Sequence, residues 1–201
     1  MDRRACEDDR LKVETAKAQP SLDPQAIRDY CFGLLARRDY SRHELLQKAL
    51  VRFKLPKKEA SLISAQLDYL AEKNYQSDER FAVAFARSKA NSGQGRARIR
   101  QALALKGITE AMAEAAIAGL GAADNYGAAL LGYSETMDQD QQEINAQWLE
   151  RAYQTWLKKF KYYSAEPKDI AKQKRFLLYR GYSFDEIAKV LERAAKESVG
   201  E

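Results

Sequence analysis

Histidine occurs once in this 201-residue sequence, cysteine twice and proline four times. No Cys/His cluster has the spacing of a zinc site, so a metal centre of that kind is excluded. The single histidine, His43, lies in Ser41-Arg42-His43-Glu44, where a surface or capping role outweighs that of a general base. Cys6 and Cys31 form no disulfide framework, and a reducing, cytoplasmic setting is the simpler reading. No run of about 18 apolar residues is present, which excludes a helical membrane span. The first 19 residues carry charges of both signs and no apolar stretch, unlike a secretory signal. With so few prolines and only ten glycines, long helices are permitted. A hydrophobic fraction of 45% and a charged fraction of 31% suit a folded, well-solvated chain: one domain or a few small helical units.

Acidic residues are missing from one long stretch. None lies between Phe81 and Thr109, where Arg87, Lys89, Arg96, Arg98, Arg100 and Lys106 stand. From Gly107 to Glu150 the sign inverts, with no lysine or arginine at all. From Arg151 to Arg180 it turns basic again, and Glu166 and Asp169 are the only acids. Segregation of this kind points to a polyanionic partner at two places, against the plainer reading of solvated helix faces.

Apolar residues recur at helical period. Ala26, Ile27, Tyr30, Cys31, Leu34 and Leu35 make one stripe. Ser41 to Glu44 reads as a capping box opening a second helix, and Pro56 suits the first turn of a third. No segment alternates at period two, so no strand is expected. The triplet then repeats about three pivots, Lys54, Gly107 and Gly181. Four residues before each lies a leucine (Leu50, Leu103, Leu177), and one after it Leu55, Ile108 or Tyr182. Six, nine and thirteen after it come Ala60, Ile63 and Leu67, then Ala113, Ala116 and Leu120, then Ile187, Val190 and Ala194. Eight before it come Leu46 and Ile99, but Gln173 breaks the pattern. Two pivots are glycine, as a left-handed helix end favours, and Thr109 and Ser183 follow them as caps.

Lys54 and Gly107 are 53 residues apart, Gly107 and Gly181 74, an excess of about 21. The expected fold is all-α: three tandem three-helix repeats stacked into an elongated, curved array. Its parts are a flexible charged arm (1–24), repeat 1 (25–73), repeat 2 (74–120), an acidic, glycine-bearing insertion loop (121–142, with a short helix at 128–131) and repeat 3 (143–197).

Gly93 and Gly95 suggest a phosphate-binding glycine loop, but a third glycine, a preceding strand and a Gly-Lys-Ser/Thr ending are missing. They read instead as a break between helices. Arg96 and Arg100 lie one turn apart at a helix start, where cations and exposed amides suit phosphate oxygens. Lys172, Lys174, Arg175 and Arg180 form a second cluster beside Tyr179 and Tyr182, where rings could add stacking, against the plainer reading of the tyrosines as core or boundary residues.

Four segments together resemble the RecX family. They are Leu35-Ala-Arg-Arg-Asp-Tyr-Ser-Arg-His-Glu-Leu45, Asn74-Tyr-Gln-Ser-Asp-Glu-Arg-Phe-Ala82, Gly95-Arg-Ala-Arg-Ile-Arg-Gln-Ala-Leu-Ala-Leu-Lys-Gly-Ile108 and Lys174-Arg-Phe-Leu-Leu-Tyr-Arg-Gly-Tyr182. They stand in the family's order, and the resemblance covers about residues 25–195; the N-terminal arm and the acidic insertion depart from it. The resemblance implies tandem three-helix repeats and an inhibitor of the RecA recombinase. Such a protein binds in the groove of the RecA–DNA filament and limits filament growth, ATP hydrolysis and strand exchange. It implies no catalytic residue, metal or cofactor. The partners expected are the RecA filament and single-stranded DNA, with double-stranded DNA as a further candidate, and no membrane, for a monomer in the cytoplasm. The residues expected to bind are Arg37, Arg38, Arg87, Lys89, Arg96, Arg98, Arg100, Lys106, Lys172, Lys174, Arg175 and Arg180. Two alternatives remain at this point: a stand-alone nucleic-acid-binding helical module that competes for DNA, and a nuclease, which the lack of a metal-ligand constellation disfavours.

Overall fold

The computed structural model describes residues 23–56, 60–120 and 137–199. The expected N-terminal arm up to residue 22, residues 57–59 after Pro56, and positions 121–136 of the expected insertion, including its short helix, lie outside the described residues. Among the described residues every regular element is a helix. Repeat 1 holds α1 (Pro24–Leu35), α2 (Arg42–Arg52) and α3 (Ala60–Glu72). Repeat 2 holds α4 (Asp78–Asn91), α5 (Arg96–Ala104) and α6 (Glu110–Ala118), and repeat 3 holds α7 (Met137–Phe160), α8 (Pro167–Arg180) and α9 (Phe184–Val199). The all-α repeat array is therefore as expected. α7 starts six residues ahead of the expected end of the insertion, so 137–142 are helical. Their polar composition reads as loop, yet acidic residues such as Asp138 and Asp140 favour a helix's first turn.

Local sequence accounts for most helix starts. Asp23, Ser41, Ser77 and Thr109 each accept a first-turn amide, leaving fewer unpaired donors. At α9 the box is reciprocal: Glu186 N donates to Ser183 Oγ (3.2 Å) and Ser183 N to Glu186 Oε2 (2.7 Å). At α2 it is not. Glu44 N donates to Ser41 Oγ (3.1 Å), but the Glu44 carboxylate turns to Lys106 of repeat 2.

The three pivots share one geometry. Lys54, Gly107 and Gly181 have φ of 53°, 76° and 90°. One residue on, the amides of Leu55, Ile108 and Tyr182 donate to Leu50, Leu103 and Leu177 carbonyls at 3.0, 3.2 and 3.2 Å. The pivot amides themselves donate to Val51, Ala104 and Leu178. This is the Schellman ending three times over, at the positions aligned by sequence.

Gln173, the residue that breaks the apolar pattern, is 2% exposed. Its amide oxygen accepts the Trp156 indole N–H at 2.8 Å. A buried indole is a donor with no acceptor of its own, so an apolar residue at 173 would strand it.

The core comes in two pieces. Ile27, Cys31, Leu45, Leu50, Ile63 and Leu67 fill repeat 1 alone. A second cluster runs unbroken from Phe81 and Leu103 in repeat 2 to Trp148, Trp156, Leu177 and Val190 in repeat 3.

The repeats dock by one rule. The capping residue of each second helix sits on the carbonyl just before the next repeat's pivot. Ser41 Oγ donates to Lys106 O at 2.7 Å, and Gly95 N donates to Arg180 O at 2.8 Å. The approach leaves no room for a side chain at either following pivot. A Cβ on Gly107 would stand 2.6 Å from His43 Cβ, and one on Gly181 2.6 Å from the Arg98 amide nitrogen. Glycine is thus required there twice, for its φ and for its size. Lys54, the pivot of repeat 1, carries a side chain at the same φ.

Candidate nucleic-acid interface

The basic stretch that opens α5 is largely spent on holding the array together. Arg96 Nη2 pairs with Glu186 Oε1 at 2.9 Å, its Nη1 donates to Asn145 at 3.0 Å, and the guanidinium lies 5.5 Å from the Trp148 ring. Arg98 donates to Tyr179 O at 3.0 Å and lies 4.6 Å over the Tyr179 ring. Arg100 pairs with Glu114 on α6, whose carboxyl is held below its ordinary range mainly by that hydrogen bond. Lys106 pairs with Glu44 at 2.8 Å. The amides expected to be exposed at the start of α5 are not: those of Gly95 and Ala97 donate to Arg180 O and Gly181 O.

Repeat 1 and α4 contribute dispersed cations. Arg37 is exposed in the α1–α2 connection. Arg38 stacks 3.7 Å over Tyr40 and approaches Glu44 at 3.5 Å. Burial pushes the Glu44 carboxyl up, but the hydrogen bond and charge of Lys106, with Arg38, outweigh this and hold it below the usual range. Its second oxygen is buried and, among the described residues, without a hydrogen-bond partner. Arg87 is exposed on α4, and Lys89 lies 5.1 Å over Phe85.

On α8 the arrangement differs. Lys168, Lys172, Arg175 and Tyr179 follow at steps of four, three and four, which keeps them on one helix face over about 16 Å. All four are exposed, Tyr179 by 71%, while Gln173 and Leu177 point into the core. Lys174 is exposed beside the stripe, and Arg175 Nε reaches back to Ala171 O at 3.3 Å. Arg98, stacked on Tyr179, extends the stripe across the repeat junction. Arg180 is turned away, donating to Ser92 O at 2.8 Å. Of the twelve expected residues, the structure gathers Lys172, Arg175 and Arg98 on one surface, with Lys174 at its side. Lys168 was missed, although its period with Lys172 and Arg175 was readable. Lysine and arginine only donate, so such a face suits acceptor-rich partners: phosphates or carboxylates. Among the described residues, no group of three or more His, Cys, Asp or Glu side chains is placed to hold a metal ion, and no helix is long and apolar enough to cross a membrane.

Fold and surface define a tandem three-helix-repeat protein whose third repeat carries an open cationic face. Comparison with known proteins gives it a family. Family models described as "RecX, second three-helix domain" and "RecX, third three-helix domain" match residues 77–117 and 145–191. The regulatory protein RecX of Chromohalobacter salexigens is 35% identical over 83% of this chain and 91% of its own. That of Acinetobacter baylyi is 32% identical over 92% and 97%. A crystal structure of RecX from Lactobacillus salivarius superposes with a TM-score of 0.56 at 20% identity, covering 86% of this chain and 96% of that one. The chain belongs to the RecX family of regulatory proteins.

Proposed function

We propose that this chain regulates RecA, mainly as an inhibitor, by binding the RecA–DNA filament and limiting its growth, ATP hydrolysis and strand exchange. It acts as a monomer in the cytoplasm, in DNA repair and recombination, without chemistry of its own. Family membership supports the reading. The observation that carries it is the stripe Lys168, Lys172, Arg175 and Tyr179. It is a solvent-facing row of donors on the third repeat, which suits an extended, acceptor-rich partner.

A stand-alone nucleic-acid module would draw on the same cations, and one comparison separates the two. The filament regulator reduces RecA-dependent ATP hydrolysis and strand exchange at concentrations where free single-stranded DNA is hardly bound. A competitor for DNA inhibits only in proportion to the DNA it occupies. If both reactions are unchanged at saturating protein, the proposal fails.

A further inference from the structure

A cleft of about 490 Å³ opens where α4 ends against α7 and α8, within the size range of ligand pockets. Arg151, Lys158 and Lys159 enter it from α7 and Arg180 from α8. None of the three α7 residues was singled out by the sequence. The one carboxylate in the wall, Glu150, is already committed: it accepts from Arg193 at 2.6 Å and from Gln154 at 2.9 Å. Arg151 donates one bond to Asn91 (3.3 Å) and Arg180 one to Ser92 O (2.8 Å). A guanidinium carries five donors, so these contacts orient both groups without exhausting them. Lys158 and Lys159 are exposed at the rim.

The floor is built tightly. Gly93 has φ 78°, and a Cβ there would stand 2.8 Å from Thr155 Oγ1. Thr155 in turn bonds Arg151 O (2.8 Å) and the Tyr182 hydroxyl (3.2 Å). Both repeats thus fix the cleft's shape before anything enters.

We propose that this cleft binds the phosphodiester backbone of a single-stranded nucleic acid. Four cations converge on one concave space with no uncommitted carboxylate, and charge-assisted bonds to phosphate oxygens answer that arrangement. A single strand bends into the concavity and meets all four. A duplex, stiff over about 150 base pairs, meets only the rim. The inference deepens the filament reading by giving the nucleic-acid strand a site separate from the α8 stripe. It rests on that reading only for the strand's source.

The test uses the full chain, a fluorescent oligothymidylate and no RecA, so its failure is distinguishable from failure of the filament reading. Lys158→Glu with Lys159→Glu is compared with Lys48→Glu with Lys73→Glu, an equal charge change in repeat 1. The cleft variant is expected to bind at least tenfold more weakly than the repeat 1 variant. Its slope of log affinity against log salt should be shallower by about 1.4, at about 0.7 per lost single-strand contact. Equal binding by the two variants overturns the proposal. So does displacement of the oligothymidylate by polyglutamate at matched charge as readily as by unlabelled oligothymidylate, which would assign the cleft to an acidic protein segment. Circular dichroism of both variants shows that the fold is retained. Should the double variant fail to fold, Lys158→Gln alone carries the same comparison, with a slope change of about 0.7 expected and no change contradicting the site.

Discussion

α5 and α8 are the same element of successive repeats, and both are rich in arginine and lysine, yet their cations do different work. The start of α5 meets repeat 3, so Arg96 and Arg98 are drawn into the junction, onto Glu186 and the Tyr179 carbonyl. α8 belongs to the last described repeat. Among the described residues no further unit stands on its first turn, and Lys168, Lys172 and Arg175 face solvent. Position in the array, more than composition, decides whether a basic helix holds the protein together or is available to a partner.

The sharpest way to break this contrast is Arg96→Glu. Arg96 is 28% and Glu186 9% exposed at the side chain, so the substitution sets two carboxylates against each other in a largely desolvated place. A loss of about 3 kcal/mol or more is expected in urea unfolding. Lys172→Glu should stay within about 0.5 kcal/mol of the parent.

The pivots come next. Gly181→Ala combines a left-handed φ with a clash against the Arg98 backbone and should cost about 2–4 kcal/mol. Gly107→Ala meets a side chain, His43, and should cost less. Lys54→Gly relieves the same φ and should stabilise by up to about 1 kcal/mol. Equal effects at the three pivots would refute the docking rule.

Within repeat 3, Gln173→Leu restores the apolar pattern but strands the Trp156 N–H, at a cost of about 1–3 kcal/mol. Adding Trp156→Phe removes the stranded donor, and the double variant should recover part of that loss in the same unfolding assay.

The junction of repeats 1 and 2 is held by polar contacts between separate cores, and its acid response should be the smallest effect. Glu44 is depressed in the folded state, so its contribution is complete above its unfolded value of about 4.3 and is lost as pH falls through the lower folded one. The expected loss is about 1 kcal/mol or less, given the exposure of Lys106. Glu44→Gln should remove the pH dependence from this source, as read in urea midpoints between pH 6 and pH 3.

These residues show what a sequence carries and what it does not. The pivots were legible because a left-handed helix end imposes glycine, a following apolar residue and a new cap within a few positions. Gln173 read as a mismatch because its partner lies on another helix. Arg96, Arg98 and Arg100 each read as available to a partner because charge runs reveal sign but not pairing. Glu186, which claims Arg96, lies 90 positions downstream. The α8 stripe was half legible: its cluster stood out, but Lys168, at its far end, was passed over. Of the cleft at the junction of repeats 2 and 3 only the basic stretch from Arg151 and the cation Arg180 were legible, not their convergence, since its walls come from segments separated by the insertion.

The measurement that bears most directly on the account is RecA-dependent ATP hydrolysis on single-stranded DNA, titrated with the parent protein and with Lys172→Glu/Arg175→Glu. The account predicts that the parent inhibits while free DNA is hardly bound, and that the double variant, equally helical and equally stable, needs at least tenfold more protein for the same inhibition. Identical inhibition curves for parent and variant would contradict it, and would place the working surface of this RecX chain elsewhere than α8.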